Sequence, residues 1–256
     1  MAARDISIWP LEGLPRIMPG DDLAALLSRA LIAADRRLVD GDIIVVTSKI
    51  VAKAQNRFVA LASVAPSAQA QELAALTGKD SRLVQLILDQ AREVIRATPH
   101  VIIVETHGGL ILANAGIDQS NLSPEDQGQR VLLLPEAPDA AAEQLKQRLD
   151  QDFGVNLGVI ISDSVGRPWR LGTVGIGIGA AGVTALWDRR GEIDLMGRKL
   201  EVTEVAFADA VASAAVLAMG EGAEGCPAAL VRGYATNAPP RPAVDLLRPK
   251  QMDLFR

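Results

Sequence analysis

The sequence predicts a mixed α/β protein, and three observations carry the prediction. Short β-branched runs alternate along the chain with Ala/Leu-rich stretches of helical periodicity. With 256 residues, 49% of them hydrophobic, the chain can bury a sizeable core and offset the ordering entropy that keeps polar chains disordered. No internal repeat or persuasive linker divides it into independent domains.

Residues 21–37 open the helical pattern: Leu23, Leu26, Leu27, Ala30 and Leu31 share one face, and Asp21 and Asp22 stand at the positive end of the helix. Gly41 and Asp42 then turn the chain into a strand over 43–46, with Thr47, Ser48 and Lys49 at its exit. Helical patterns return at 68–76, 81–97 and 138–150, the last closed by Gly154, a natural helix terminator. Strand patterns occupy 101–105, 110–113, 130–134, 158–162 and 200–205. A small-residue helix at 208–219 leads through a Gly-rich loop to a strand at 228–232. The tail, 235–256, changes composition with four prolines and reads as a weakly ordered extension of a domain spanning 1–234.

Composition excludes several classes. With 31 acidic against 26 basic side chains the formal charge is −5, which disfavours a nucleic-acid partner, and three Trp, one Tyr and four Phe leave little material for base stacking. The single cysteine, Cys226, allows neither an internal disulfide nor a Cys-rich metal site, so a reducing, cytoplasmic setting is expected. The N-terminal stretch, with Asp5, Pro10, Glu12 and Pro15, lacks the layout of an export signal. The apolar run at 205–219 is too short for a membrane span and is interrupted by Asp209.

Two segments concentrate oxygen chemistry. Asp118, Ser120 and Asn121 follow a short apolar run on an irregular stretch, a donor set that suits Mg²⁺ or Mn²⁺; an Asx-turn with a helix cap would use the same residues. Ser162, Asp163 and Ser164 leave the apolar strand at 158–161, and Arg167 and Arg170 flank Pro168 and Trp169. An acid at the carboxyl end of a strand is well placed for a metal, and guanidinium groups grip carboxylate or phosphate oxygens. The plainer alternative makes Asp163 a turn cap and Trp169 a core residue.

Other features are weaker. Gly177, Gly179 and Gly182 satisfy G-x-G-x-x-G, yet Gly175 to Gly179 alternate as a strand would, with a glycine face pressed on another backbone. Lys49 and Lys53, four apart, share one face of any helix that starts at the strand exit, and no Walker P-loop is present. Glu221, in the Gly-rich loop, is either a further carboxylate ligand or a surface turn. His100 and His107 build no zinc site, and Cys226 has no evident histidine partner.

Four ordered motifs, Trp9 to Pro15 (WPLEGLP), Thr47 to Lys53 (TSKIVAK), Ala113 to Asn121 (ANAGIDQSN) and Ser162 to Arg170 (SDSVGRPWR), resemble those of the coenzyme F420-0:L-glutamate ligase family, from about residue 5 to about 234. The resemblance implies an α+β fold in an intertwined homodimer with active sites near the subunit interface. It also implies GTP-dependent ligation of L-glutamate, and of successive γ-linked glutamates, to coenzyme F420-0, with two divalent cations, Mg²⁺ or Mn²⁺, and K⁺. By that resemblance Asp118 and Asp163 hold the first metal and Ser164 and Glu221 the second. Leu11, Glu12, Gly13, Leu14, Ser48, Lys49, Lys53 and Asn121 line the nucleotide site, joined by Met219, Gly220, Gly222 and Cys226 of the Gly-rich loop. Arg167 or Arg170 neutralises an anionic substrate group. Two other classes stay open: a nicotinamide-dependent oxidoreductase using Gly177 to Gly182, and a non-catalytic nucleotide-binding assembly protein whose glycine strand mediates dimerisation.

Overall fold

A computed structural model of the protein describes residues 5–120, 128–234, 236 and 238–254. In chain order the elements are β1 (Ser7–Pro10), α1 (Leu23–Ala33), β2 (Ile43–Thr47), α2 (Ser48–Ala54), β3 (Phe58–Ala60), α3 (Ala68–Thr77), α4 (Ser81–Asp89), β4 (Ala91–Thr98), β5 (Val101–Thr106), β6 (Ile111–Ala113), β7 (Arg130–Leu132), α5 (Pro138–Phe153), β8 (Gly158–Arg167), β9 (Arg170–Ala181), β10 (Leu186–Asp188), β11 (Glu204–Ala206), α6 (Phe207–Met219) and β12 (Ala228–Arg232). The fold is α+β. The chain forms two compact units: Met1–Ala54 with Ala137–Leu246, and Gln55–Glu136 with Leu247–Arg256. The second is thus inserted into the first, with no break in composition to announce it.

The first unit is built on a five-stranded sheet in the order β1-β12-β2-β8-β9, in which only β2 and β8 run parallel. Ile43 to Val46 form an unbroken apolar run buried on both faces, as a central strand with a parallel neighbour must be. Ile43 and Val45 join Ile160, Ala229 and Val231 in one core cluster with Ala208, Ala212 and Ala215 of α6. At one corner Arg232 grips the buried Asp42 with both ends of its guanidinium fork, at 2.6 and 2.7 Å. That pairing is the bidentate form in which a buried carboxylate is best compensated.

The glycine strand does press on backbone, and the backbone belongs to helices. A Cβ on Gly175 would lie 2.7 Å from the Ala212 carbonyl oxygen of α6, and one on Gly179 would lie 2.4 Å from the Pro138 carbonyl oxygen of α5. Two helix carboxylates bind the same strand. Asp209 accepts the Gly177 N–H (2.9 Å), and Asp139 accepts the Ala180 N–H (2.8 Å). Asp139 also accepts the N–H groups of Ala243 (2.7 Å) and Val244 (3.2 Å), and Ala243 is buried. The Pro-rich tail, expected to be loosely ordered, is therefore held at Ala243 and Val244, whose N–H donors find the half-buried Asp139 carboxylate.

In the second unit β4, β5 and β6 form an antiparallel sheet and β3 pairs with β7. Leu83, Val84, Leu86 and Ile87 of α4 pack with Ile102, Val104 and Val131. The helix expected over 81–97 ends at Asp89, and its second half is the strand β4. The apolar face of the helix finishes at Ile87; beyond it Val94 and Ile95 are β-branched, and pairing with β5 across a tight turn outweighs helical continuation.

The strand expected over 200–205 is also shorter, pairing only as Glu204–Ala206 with Leu186–Asp188. Residues 189–203 instead fold back on themselves, with Gly191 N–H donating to Leu200 O and Leu200 N–H to Glu192 O, both at 2.8 Å. Leu195, Met196 and Val202 of this excursion are fully exposed. Among the described residues no helix is long and apolar enough to cross a membrane.

Candidate functional site

The site begins where two strands of unequal length part. β2 ends at Thr47, opposite Ser162, whereas β8 continues to Arg167 with only β9 beside it. Burial follows the pairing: Gly158 to Ser162 are buried, Asp163 is half-buried and Ser164 is exposed. Asp163 and Ser164 thus stand clear of the core at the carboxyl end of the parallel pair, as the sequence pattern predicts.

Two segments converge on them. α2 starts directly after β2, which sets Ser48, 5% exposed, beside β8; its Oγ donates to Asp163 Oδ1 at 2.8 Å. Lys49 and Lys53 follow on one face of α2, both half-buried. Ser164 Oγ donates to Glu221 Oε1 at 2.7 Å, which ties the loop after α6 to β8. The Thr47 N–H donates to Pro227 O at 2.9 Å and holds the far end of that loop at the exit of β2.

Glu224 shapes the loop and was missed from the sequence. Its Oε2 accepts the Gly222 N–H at 2.8 Å, and a Cβ on Gly220, where φ is +79°, would lie 2.2 Å from its carboxyl carbon. An acid two residues after a glycine in a Gly-rich stretch was the available signal. Cys226 turns its Sγ toward Glu224 O (3.7 Å).

Two expected nucleotide-site residues have their side chains elsewhere. Leu11, which donates its N–H to Ala228 O, is fully buried, and Met219 belongs to the core cluster under α6. Only their backbone groups remain for a ligand. Glu12 is exposed, Leu14 is half-buried, and Gly13 takes the left-handed φ of +78° with open space around it.

Arg167 and Arg170 face each other across the β8–β9 hairpin end, and Arg167 Nη2 reaches Leu171 O at 3.4 Å. Trp169 sits between them with φ +61° and 80% exposure, so the reading that made it a core residue fails. The segment Gly177 to Gly182 lies inside β9 and its end and opens no helix, which leaves the dinucleotide reading without its loop.

Asp118 belongs to the second unit. It exchanges both backbone hydrogen bonds with Leu132 at 2.9 Å, and its Oδ1 accepts the Ser120 N–H at 2.7 Å, so the Asx-turn expected as an alternative is present. Just before it Asn114, Ala115 and Gly116 all take left-handed φ values (52°, 56° and 68°), with Ala115 buried. Asn121 lies outside the described residues. Among the described residues no three His, Cys, Asp or Glu side chains gather closely enough to hold a metal by themselves.

The first unit thus defines a protein that collects hard oxygen donors, with ammonium groups close by in sequence, at the carboxyl end of a strand. The family model for F420-0:gamma-glutamyl ligase matches residues 13–233, and the chain belongs to that family. It is 44% identical to the coenzyme F420:L-glutamate ligase of Methanothermobacter thermautotrophicus over 98% of this chain and 99% of that one. It is 44% identical to the protein of the same name from Methanopyrus kandleri (96% and 95% covered) and 43% identical to that of Archaeoglobus fulgidus (89% and 88% covered).

Proposed function

We propose that this protein joins L-glutamate to coenzyme F420-0, and further γ-linked glutamates to the product, at the expense of GTP. One observation supports the reading most directly: Ser48, Asp163, Ser164 and Glu221 are hydrogen-bonded in pairs where β8 runs past the end of β2, and Lys49 and Lys53 follow Ser48 on α2. The donors are all oxygen, which fits Mg²⁺ or Mn²⁺ and not zinc. Asp163, Ser164 and Glu221 would hold such ions, with K⁺ assisting, and Asp118 is proposed as a metal ligand on the second unit. Bound there, divalent cations neutralise charge on the phosphate oxygens during transfer.

A carboxylate resists direct attack by an amine. In the proposed route a carboxylate oxygen of the substrate attacks the γ-phosphorus of GTP and GDP departs. The glutamate α-amine then attacks the acyl carbon, the bond to phosphate breaks, and the nitrogen loses a proton. The protein's task is to position and to balance charge. Lys49 and Lys53, with the backbone of Leu11 to Leu14, Gly220 and Gly222, and with Cys226, would receive the nucleotide; Arg167 or Arg170 would neutralise the anionic substrate. We assign the ligase fold to residues 1–234 with 235–256 as an extension, acting in the cytoplasm as a homodimer.

The test is incubation with GTP, Mn²⁺, L-glutamate and the unglutamylated deazaflavin, reading product masses. Glutamylated product and GDP should appear together. Asp163→Ala and Asp118→Ala should each lose at least about 100-fold in turnover, more than the loss of an outer partner usually costs, with circular dichroism unchanged. Near-normal turnover in either variant would overturn the metal assignment.

A further inference from the structure

Ser48 occupies a position for which contact with nucleotide is not the only demand. Thr47 and Ser162 are the last partners of the parallel β2–β8 pair, so the residue that follows each of them, Ser48 at the start of α2 and Asp163 in β8, is delivered to the same place by the sheet. Ser48 is 5% exposed, and its Oγ lies 2.8 Å from Asp163 Oδ1. A serine hydroxyl has a single proton to donate. An ionised phosphate is an acceptor only, so a hydroxyl whose proton is committed to Asp163 has nothing to give it. The carboxylate, for its part, gains a fixed plane and rotamer from a rigid, buried donor.

We propose that Ser48 is a positioning residue, which holds the Asp163 carboxylate in the orientation needed to bind a divalent cation and does not donate its hydroxyl proton to a nucleotide phosphate. The proposal rests on the reading of Asp163 as a metal ligand. Outer partners that orient a ligating carboxylate are worth about 10–100-fold in metal affinity. Ser164 offers a contrast: its hydroxyl is exposed and bonded to another acid, Glu221, so it remains accessible as a ligand in its own right.

The experiment measures Mn²⁺ affinity from the electron paramagnetic resonance of free Mn²⁺, and GTP affinity in excess chelator, on the full chain. Ser48→Ala should weaken Mn²⁺ binding about 10–100-fold while GTP binding without metal changes less than about twofold. Ser48→Thr, which keeps the hydroxyl, should restore most of the Mn²⁺ affinity. Should Ser48→Ala fail to fold, Ser48→Cys, similar in size but a weak donor, should show the same loss. Unchanged Mn²⁺ affinity with weakened GTP binding would overturn the proposal and assign the hydroxyl to the nucleotide. Equal losses in the Thr and Ala variants would overturn it as well. Asp163→Ala separates the two levels: if that variant binds Mn²⁺ as well as the parent, the metal reading itself falls. If it loses Mn²⁺ and the Ser48 variants do not, only the positioning role falls.

Discussion

Asp209 carries a cost that the rest of α6 does not. Burial pushes its carboxyl above the ordinary 3.8, and the hydrogen bond from the Gly177 N–H offsets this only in part. The folded protein therefore holds this proton more tightly than the unfolded chain. Stability falls as pH rises from the ordinary carboxylate value through the raised one. Asp209→Asn keeps an acceptor for Gly177 and removes that dependence. The melting temperature of Asp209→Asn relative to the parent should climb as pH rises above the ordinary carboxylate value of 3.8; a difference that stays constant with pH would show the carboxylate to be uncharged or unstrained throughout. At the same scale, Ala115 holds a left-handed φ of 56° while buried, a conformation that costs an L-residue roughly 1–2 kcal/mol and that only surrounding packing can impose. Such a residue is invisible in a sequence, where alanine reads as an ordinary helix former. Asp118, three residues further on, was legible as an acid on an irregular stretch, but the turn that delivers it was not.

Among the elements, β9 shows how a pattern can be read correctly and its partner missed. Alternating glycines signal a close approach, and no periodicity says whether a strand or a helix makes it. Here α5 and α6 do, at distances that leave no room for a methyl group. Gly179→Ala should destabilise by about 1–3 kcal/mol, since the obstruction is the Pro138 backbone and cannot rotate away. Gly166→Ala, with ordinary φ and nothing within 4 Å of the added carbon, should stay within about 0.5 kcal/mol. Urea unfolding of the two variants measures the contrast; equal costs would mean that β9 relaxes away from α5. β4 teaches the converse lesson. Residues 91–97 follow a helical stretch and continue its composition, and only the partner strand β5 makes them extended, because a ladder of hydrogen bonds across a turn is a tertiary fact. Likewise Leu11 and Met219 lie in segments that the family resemblance implies, while their side chains serve the core.

For the molecule as a whole, two segments of the first unit each carry several exposed apolar side chains: Trp169 and Leu171 on the β8–β9 hairpin, and Leu195, Met196 and Val202 on the 189–203 excursion. Exposed clusters of this kind mark surfaces that meet a partner. In the homodimer proposed above we place the excursion at the interface, so Leu195→Glu with Met196→Glu should weaken self-association at least about 100-fold by sedimentation equilibrium, two to three kcal/mol at about 1.4 per tenfold. A parent protein that sediments as a monomer, or a double variant that remains dimeric, would dispose of this arrangement. The sequence by itself determined the α+β class, most elements and the family, because periodicity, turn residues and ordered motifs are local properties. Tertiary structure alone decided that an inserted unit interrupts the first, that helices fill the glycine face, and that Ser48 meets Asp163. Each of these depends on which strands and helices become neighbours, and strand register brings together residues 115 positions apart that no local pattern connects.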